Sequence, residues 1–154
     1  MKRVELLRVV SLLCLACGVV RAEEITLESA PPVVVKTVPQ AGQADVDPKL
    51  TEIKVTFSKE MLDGSWSWSM ASKDSFPKVT GGPKYLPDKR TCVIRVHLEP
   101  GKTYAVWLNS RKFRNFKDAD GRPAVPYLLV FRTQPQSGSS RTGSKPADNA
   151  PRAR

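Results

Sequence analysis

The 154-residue sequence has few of the side chains that most often carry catalysis or bind metals. It contains one histidine and three cysteines, and two of those cysteines fall within the first 22 residues. A single histidine cannot build the multi-imidazole sites that transition metals favour. If the first 22 residues are removed, only Cys92 remains and an intramolecular disulfide is excluded. We therefore expect burial of a hydrophobic core to stabilise the fold.

Long hydrophobic runs are also missing. The apolar stretch at 9–20 covers about 12 residues, whereas a membrane-spanning helix needs about 20. It follows three basic residues within the first eight and precedes Ala22. This order is typical of a secretory signal peptide over 1–22, with cleavage before Glu23. We expect an exported protein located in the periplasm, at the cell surface or outside the cell.

A lipid anchor at Cys17 is the competing interpretation of the same segment. The letters "LACG" resemble the end of a lipobox, although Cys14 stands where that motif prefers leucine. We therefore favour cleavage without lipidation.

Windows free of proline are short, and this excludes most helices. Ten prolines lie between positions 31 and 126, and proline disrupts a helix interior. Strict alternation in "TEIKVTFS" places Ile53, Val55 and Phe57 on one face, as in a half-buried strand. "TCVIRVHL", "TYAVWLN" and "YLLVFRT" alternate in a similar way. The pattern predicts an all-β, antiparallel Ig-like sandwich of about seven strands over 31–134.

One segment departs from strand character. In "NSRKFRNFKDADGRP", Asn109 or Ser110 is suited to cap a short helical turn over 110–117. Such a turn would place Phe113 and Phe116 on one side, against the sandwich.

The two ends of the chain are predicted to lie outside this domain. Residues 23–30 form an acidic lead-in, and residues 135–154 form a tail rich in Ser, Gly, Pro and Arg that is typical of disorder. Of the formal net charge of +10, residues 1–22 contribute +3 and residues 135–154 another +3, so residues 23–134 carry +4. This surplus suits an anionic cell-surface polymer or another exported protein as partner, and it does not indicate nucleic-acid binding.

Trp66 and Trp68 stand two positions apart within "DGSWSWSM". Side chains two apart in a strand share a face, so we expect both rings and Met70 to point into the core and the intervening serines to point outward. An exposed platform that stacks on carbohydrate is the alternative.

Three stretches resemble the bacterial Ig-like domain of the S-layer (SbsA) type. They are "PPVVVKTVPQAGQADVDPKLTEIKVTFSKEM", "LEPGKTYAVWL" and "KDADGRPAVPYLLVFRT", and they span about 31–134 in the expected order. The resemblance implies a sandwich fold. It implies no shared chemistry, because such domains serve as spacers, stalks and accessory modules.

No catalytic or cofactor site is predicted. His97 falls on the outer face of a strand without a nucleophile placed beside it, and Cys92 falls on the inner face, where a thiol is inert. The overall shape resembles the small periplasmic copper-resistance proteins, but a single histidine does not provide their ligands. "DADG" would need an oxygen ligand at Phe116 to bind calcium, so Asp118, Asp120 and Gly121 are expected to form a tight turn.

The most unusual surface feature is a basic and aromatic cluster next to Trp107. With Tyr104, Val106 and Leu108 in the core, alternation turns the Trp107 ring outward. Basic and aromatic residues that alternate can bind an anionic polymer. We therefore regard one set of residues as a candidate surface for an anionic glycan or a partner domain: Trp107, Arg111, Lys112, Arg114 and Lys117.

Overall fold

The computed structural model describes residues 24–136, and its ordered elements are all strands. They are β1 (Val34–Val38), β2 (Glu52–Phe57), β3 (Trp68–Met70), β4 (Lys78–Tyr85), β5 (Thr91–His97), β6 (Thr103–Leu108) and β7 (Tyr127–Arg132). The predicted all-β class and the number of strands are confirmed. The predicted signal peptide and nearly all of the predicted tail lie outside the described residues. Within 24–136 there is no helix, and so none that could cross a membrane.

The strands form two antiparallel sheets. One sheet has the order β1-β2-β5-β4, and the other has the order β3-β6-β7. This division into four and three strands, with β1, β2, β4 and β5 in one layer, is that of constant-type Ig sandwiches. β3 and β4 each form a sheet edge.

Residues 24–30 are described separately from this sandwich. They contain a turn in which the Ala30 N–H donates to the Thr26 carbonyl at 2.9 Å. Ile25 and Leu27 are exposed in it.

The alternating strands bury the faces that the sequence predicts. Ile53, Val55 and Phe57 of β2 are fully buried, as are the predicted inward residues of β6 and β7. Alternation in "TCVIRVHL" predicts that Val93 of β5 faces solvent together with Arg95, and this prediction is wrong, since Val93 is 2% exposed. It pairs with Lys54 on one side and Lys84 on the other. The aliphatic stems of such long neighbours can shield a small side chain in a central strand.

The core consists of two hydrophobic clusters along the sandwich. One contains Ile53, Ile94 and Tyr104, and the other contains Val55, Phe57 and Phe116. Trp68 packs against both clusters. It therefore joins the two halves of the core from the edge strand β3.

The predicted faces of 65–70 are only partly correct. Trp66 and Trp68 pack against the core but stay half-buried, and Met70 is 62% exposed where burial was predicted. Ser67 was expected outside and is buried, because its hydroxyl accepts the Asn115 N–H at 2.9 Å beneath the following loop. Met70 is exposed because β3 is an edge strand with no strand opposite its end.

The helical turn predicted over 110–117 is wrong. Asn109 adopts a positive φ of 56°, which turns the chain out of β6 before a helix could begin. The next residues form a tight turn in which the Ser110 N–H donates to the Phe113 carbonyl at 2.7 Å. Phe116 is fully buried as expected, but Phe113 is 48% exposed.

Candidate partner-binding groove

An apolar groove of about 510 Å³ lies between β3 and β4, which are edge strands of different sheets. We call it the tryptophan groove. Its walls come from β3 and the residues before it, from β4, and from the loop after β6, and Ile94 of β5 also lines it. The apolar lining side chains are Trp66, Trp68, Met70, Phe76, Val79, Pro83, Ile94 and Phe113. Its volume falls in the range of small-ligand and peptide sites.

The exposed side chains of the groove are large and apolar. Met70 is 62% exposed, Phe113 48% and Val79 42%. Single exposed apolar residues are common, but a contiguous group in a concavity is typical of an interaction site.

Asn109 builds the loop that closes one end of the groove. Its side-chain amide donates to the carbonyls of Phe116 and Ala124, each at 2.9 Å, and its Oδ1 accepts the Phe116 N–H at 2.9 Å. Asparagine tolerates the left-handed backbone conformation found here. These three hydrogen bonds hold Phe116 in the core, and the chain before it presents Phe113 to the groove.

Two serines fix the same loop to the strand beside it. The Ser65 hydroxyl donates to the Asn115 carbonyl, and the Ser67 hydroxyl accepts the Asn115 N–H. The groove wall at Phe113 is thus attached to the backbone that carries both tryptophans.

Trp68 is held beneath the groove by an aromatic contact and by burial of its polar edge. Its ring meets Phe116 edge-on, with centroids 5.7 Å apart. Trp68 Nε1 is buried and has no hydrogen-bond partner among the described residues. Burial raises the pKa of the Cys92 thiol to about 12, and the nearby Trp68 side chain opposes that rise. Because Trp68 Nε1 has no partner at hydrogen-bonding distance, Trp68 acts on the Cys92 thiol through a longer electrostatic contact and not through a hydrogen bond.

One end of the groove is basic. Lys112 and Arg114 flank the lining residue Phe113 in the chain, and both are exposed. The Lys112 Nζ lies 5.6 Å from the centroid of the Phe113 ring, a cation–π arrangement. No aspartate or glutamate lines the groove.

The candidate surface residues from the sequence are placed in two different settings. Trp107 is half-buried on the outer face of the three-stranded sheet, between Ser69 and Leu128. Arg111, Lys112 and Arg114 are exposed, and Lys117 is half-buried. Among the described contacts, no cation lies over the Trp107 ring. Lys112 instead lies over Phe113, which belongs to the groove.

Sequence reasoning singled out the two tryptophans, Phe113 and the basic cluster beside this groove. Nothing in the sequence indicated that Met70 and Val79 are exposed or that Phe76 lines the groove, because this depends on which strands end at a sheet edge.

His97 lies in a different cleft, at the opposite end of β5 from Cys92. It is exposed and lines a volume of about 730 Å³ with Asp47 and Glu99. No serine, threonine or cysteine lines this cleft. The Glu99 carboxylate is engaged by Lys102 at 2.6 Å, and this hydrogen bond lowers the pKa of Glu99. The arrangement brings no nucleophile to His97.

Asp118 and Gly121 form the tight turn that the sequence predicted. Asp118 Oδ1 accepts the N–H groups of Asp120 and Arg122 at 3.1 and 2.8 Å, and Gly121 has a φ of 80°. Asp118 Oδ2 lies 3.6 Å from the Lys59 Nζ and 3.9 Å from the Arg122 Nε. Over the described residues, no group of three acidic, histidine or cysteine side chains is placed to hold a metal.

The sandwich fold agrees with the family to which the sequence matches. A model of the bacterial Ig-like domain matches residues 28–133. The chain belongs to this family. The Ig-like part of the resemblance seen in the sequence is thereby confirmed, and such domains are generally non-catalytic.

Comparison with solved structures gives partial matches, and the first of them agrees in fold. CopC from Methylosinus trichosporium OB3b matches with a TM-score of 0.51 and 21% identity over 68% of this chain and 95% of CopC. The S-layer protein rSbsC(31-844) matches with a TM-score of 0.43 and 20% identity over 68% of this chain and 14% of that protein. A second SbsC structure, domains 1-6, gives a TM-score of 0.44 at 20% identity over 70% of this chain and 14% of that one.

These S-layer matches are partial, so assignment to the SbsA type stays a prediction. No curated protein sequence matches the chain.

Proposed function

We propose that this protein is an exported, non-catalytic Ig-like module that binds a partner through the tryptophan groove. The observation that carries the proposal is the exposure of Met70, Phe113 and Val79 around one concavity. Covering these side chains would remove apolar surface from water, at about 25 cal/mol per Å². A partner that fills the groove would thus gain binding energy without a change in the fold.

Chemistry at the groove is less favoured than binding. Its lining offers two serines and one asparagine as polar side chains, and the Ser67 hydroxyl is already engaged by Asn115. General acid–base or nucleophilic catalysis needs a base within hydrogen-bond reach of the reacting group. The described groove lining contains no histidine, aspartate, glutamate or lysine for that role.

The binding proposal is tested with matched charge variants. Immobilised wild-type protein, Met70→Glu and Phe113→Glu are exposed to fractionated cell envelope, and the retained material is quantified. Leu128→Glu is the control, because Leu128 is 38% exposed on the outer face of the three-stranded sheet, away from the groove. We expect both groove variants to retain at least tenfold less material than the wild type, and the control to retain as much as the wild type. Equal retention by all four proteins would refute the groove as the binding face.

Export is supported by the arrangement of charges, apolar residues and Ala22 in the first 22 residues. Intact-mass measurement of the protein from separated cytoplasmic, membrane and soluble envelope fractions should find a chain that begins at Glu23 in the soluble envelope fraction. A chain in the membrane fraction that begins at an acylated Cys17 would instead establish the lipid anchor, and a full-length chain in the cytoplasm would refute export.

A second candidate function is weak binding of an anionic glycan at Trp107 and the 111–117 cluster. The observation that favours it is that Arg111 and Arg114 are exposed and form no ion pair within the described part of the chain. Trp107→Ala should then abolish retention on a sulfated polysaccharide column, whereas Met70→Glu should not. Unchanged elution of Trp107→Ala would remove this candidate.

A further inference from the structure

The two sheets differ in width, and the difference falls at the tryptophan groove. The four-stranded sheet ends in β4, whereas the three-stranded sheet ends in β3. Trp68 of β3 packs in the same cluster as Ile94 of β5. β5, the third strand of the four-stranded sheet, therefore lies opposite β3, and no strand of the other sheet faces β4. Val79 of β4 is 42% exposed as a result.

The backbone of β3 has a free hydrogen-bonding edge on this side. The N–H of Asn109, which directly follows β6, donates to the Ser67 carbonyl at 3.1 Å, and Ser69 pairs with Trp107 of β6. In an antiparallel pair, the groups that face the neighbouring strand alternate along the chain. The N–H and C=O groups of Trp68 and Met70 are therefore directed away from β6, toward the groove.

The length of the groove suits a short strand. It runs beside 66–70, from Phe113 at one end to Phe76 at the other. At about 3.4 Å per residue, five positions cover about 17 Å, so a strand of about four or five residues fits. Variable-type Ig sandwiches place additional strands beside the corresponding strand of their smaller sheet, so this edge can be extended without a change of fold.

We propose that the groove binds an extended peptide segment of a partner protein, with alternating apolar and acidic residues, which adds to β3 as a fourth strand. The inference rests on the proposed function, since it names the ligand of the same groove. Apolar side chains on one face of the added strand would cover Val79 and Ile94. The acidic side chains on its other face would lie near Lys112 and Arg114, which flank Phe113 at one end of the groove.

A peptide fits these observations better than a glycan does. The lining mixes aromatic and non-aromatic apolar side chains, and it presents few polar side chains to recognise sugar hydroxyls. An added strand takes most of its hydrogen bonds from the backbone, which β3 supplies, and uses its side chains for specificity.

The test is selection from a random eight-residue peptide library against the purified protein, followed by fluorescence anisotropy with the enriched peptides. We expect enriched peptides that alternate apolar and acidic residues. N-methylation at the backbone positions that face β3 should weaken binding at least tenfold. Methylation on alternate positions, which face solvent, is the matched control and should have little effect.

Protein variants locate the peptide. Met70→Glu should weaken peptide binding at least tenfold, and Leu128→Glu should not. If Met70→Glu does not fold, the exposed double variant Lys112→Glu with Arg114→Glu replaces it, with the same expectation. Enriched peptides that bind equally after N-methylation of either set, or that bind all variants equally, would overturn strand addition.

The outcomes also separate this inference from the proposed function. If no peptide is enriched but Met70→Glu and Phe113→Glu still lose retention of envelope material, strand addition is refuted and the binding groove stands. If a sulfated polysaccharide binds in a manner that depends on Met70 and no peptide is enriched, the ligand is a glycan and the inference is wrong. If neither assay depends on the groove, both proposals fail.

Discussion

At the scale of single residues, Cys92 shows how burial decides reactivity. The sequence places it among alternating apolar residues, and the structure confirms that its side chain is fully buried. Its thiol is the only one in the described residues. Loss of hydration raises its pKa to about 12, so the native protein holds it as the neutral thiol, which is a poor nucleophile.

This burial predicts a pH dependence of stability. A cysteine in the unfolded chain has a pKa of about 8.5, whereas burial raises the pKa of the native Cys92 thiol to about 12. Between these values the unfolded state releases a proton that the native state keeps, so the free energy of unfolding falls as the pH rises. In urea titrations from pH 7 to 11, the wild type should lose more stability than Cys92→Ala over the same interval. Parallel curves would contradict the assignment. Burial also raises the pKa of Tyr85, which changes the stability of both proteins in the same direction, so comparing them at each pH cancels its contribution.

At the scale of elements, the loop from Asn109 to Asp118 connects the core to the groove. Asn109 binds the backbone at Phe116 and Ala124, and Phe116 fills the core beside Phe57 at 5.0 Å between ring centroids. Phe113, three residues earlier, faces outward. The loop therefore anchors one phenylalanine and presents the other.

Removing the Asn109 amide should destabilise this loop strongly. Asn109→Ala leaves the Phe116 N–H and the Ala124 carbonyl in the interior without their partners, and each unsatisfied group costs about 1–3 kcal/mol. The Phe116 carbonyl keeps one partner, since it also accepts the Ala124 N–H at 2.8 Å. We expect a loss of about 3 kcal/mol in chemical denaturation, allowing for partial relaxation. Asn109→Gly relieves the backbone strain at a positive φ of 56°, and it should lose nearly as much if the hydrogen bonds dominate. A loss of less than 1 kcal/mol in both variants would contradict the role given to the amide.

The two phenylalanines of the loop should respond in opposite ways. Phe116→Ala removes a fully buried ring and should cost about 3–5 kcal/mol of stability. Phe113→Ser changes a half-exposed side chain and should change stability by about 0.5 kcal/mol or less, while it weakens partner binding. Comparable destabilisation by both changes, measured by thermal and urea unfolding, would show that Phe113 is a core residue.

At the scale of the whole molecule, the fold is closed by contacts between distant parts of the chain. Both core clusters lie between Val46 and Phe131. The end of the described chain is tied back by the Gln134 N–H, which donates to the Val46 carbonyl at 2.8 Å, and by the Thr133 hydroxyl, which donates to the Glu99 carbonyl at 2.6 Å.

These closing contacts predict that residues 31–136 fold without the rest of the chain. All core residues and closing hydrogen bonds of the described part of the chain are present in that fragment. Its melting temperature should lie within about 2 °C of that of the longer protein, because truncation costs little where no core contact is lost. A fragment that ends at 131 lacks Thr133 and should melt several degrees lower. An unfolded 31–136 fragment would show that the segments outside it contribute to the core.

The sequence by itself determined the fold class and the inward faces of the central strands. Alternation is a local property, and a strand with one apolar face has a single way to bury it. Ile53, Val55 and Phe57 are buried for this reason. The same local rule placed Cys92 correctly and turned Trp107 outward.

Only the tertiary structure decided where the sandwich is open. Met70 has the alternation of a core residue, yet it is exposed because β3 ends a sheet and faces no strand at that point. Asn109 has the residue type of a helix cap, yet its amide is used by Phe116 and Ala124, which are 7 and 15 residues away. Which strands become edges, and which loop amide meets which backbone, depend on pairings between distant segments that no local pattern contains.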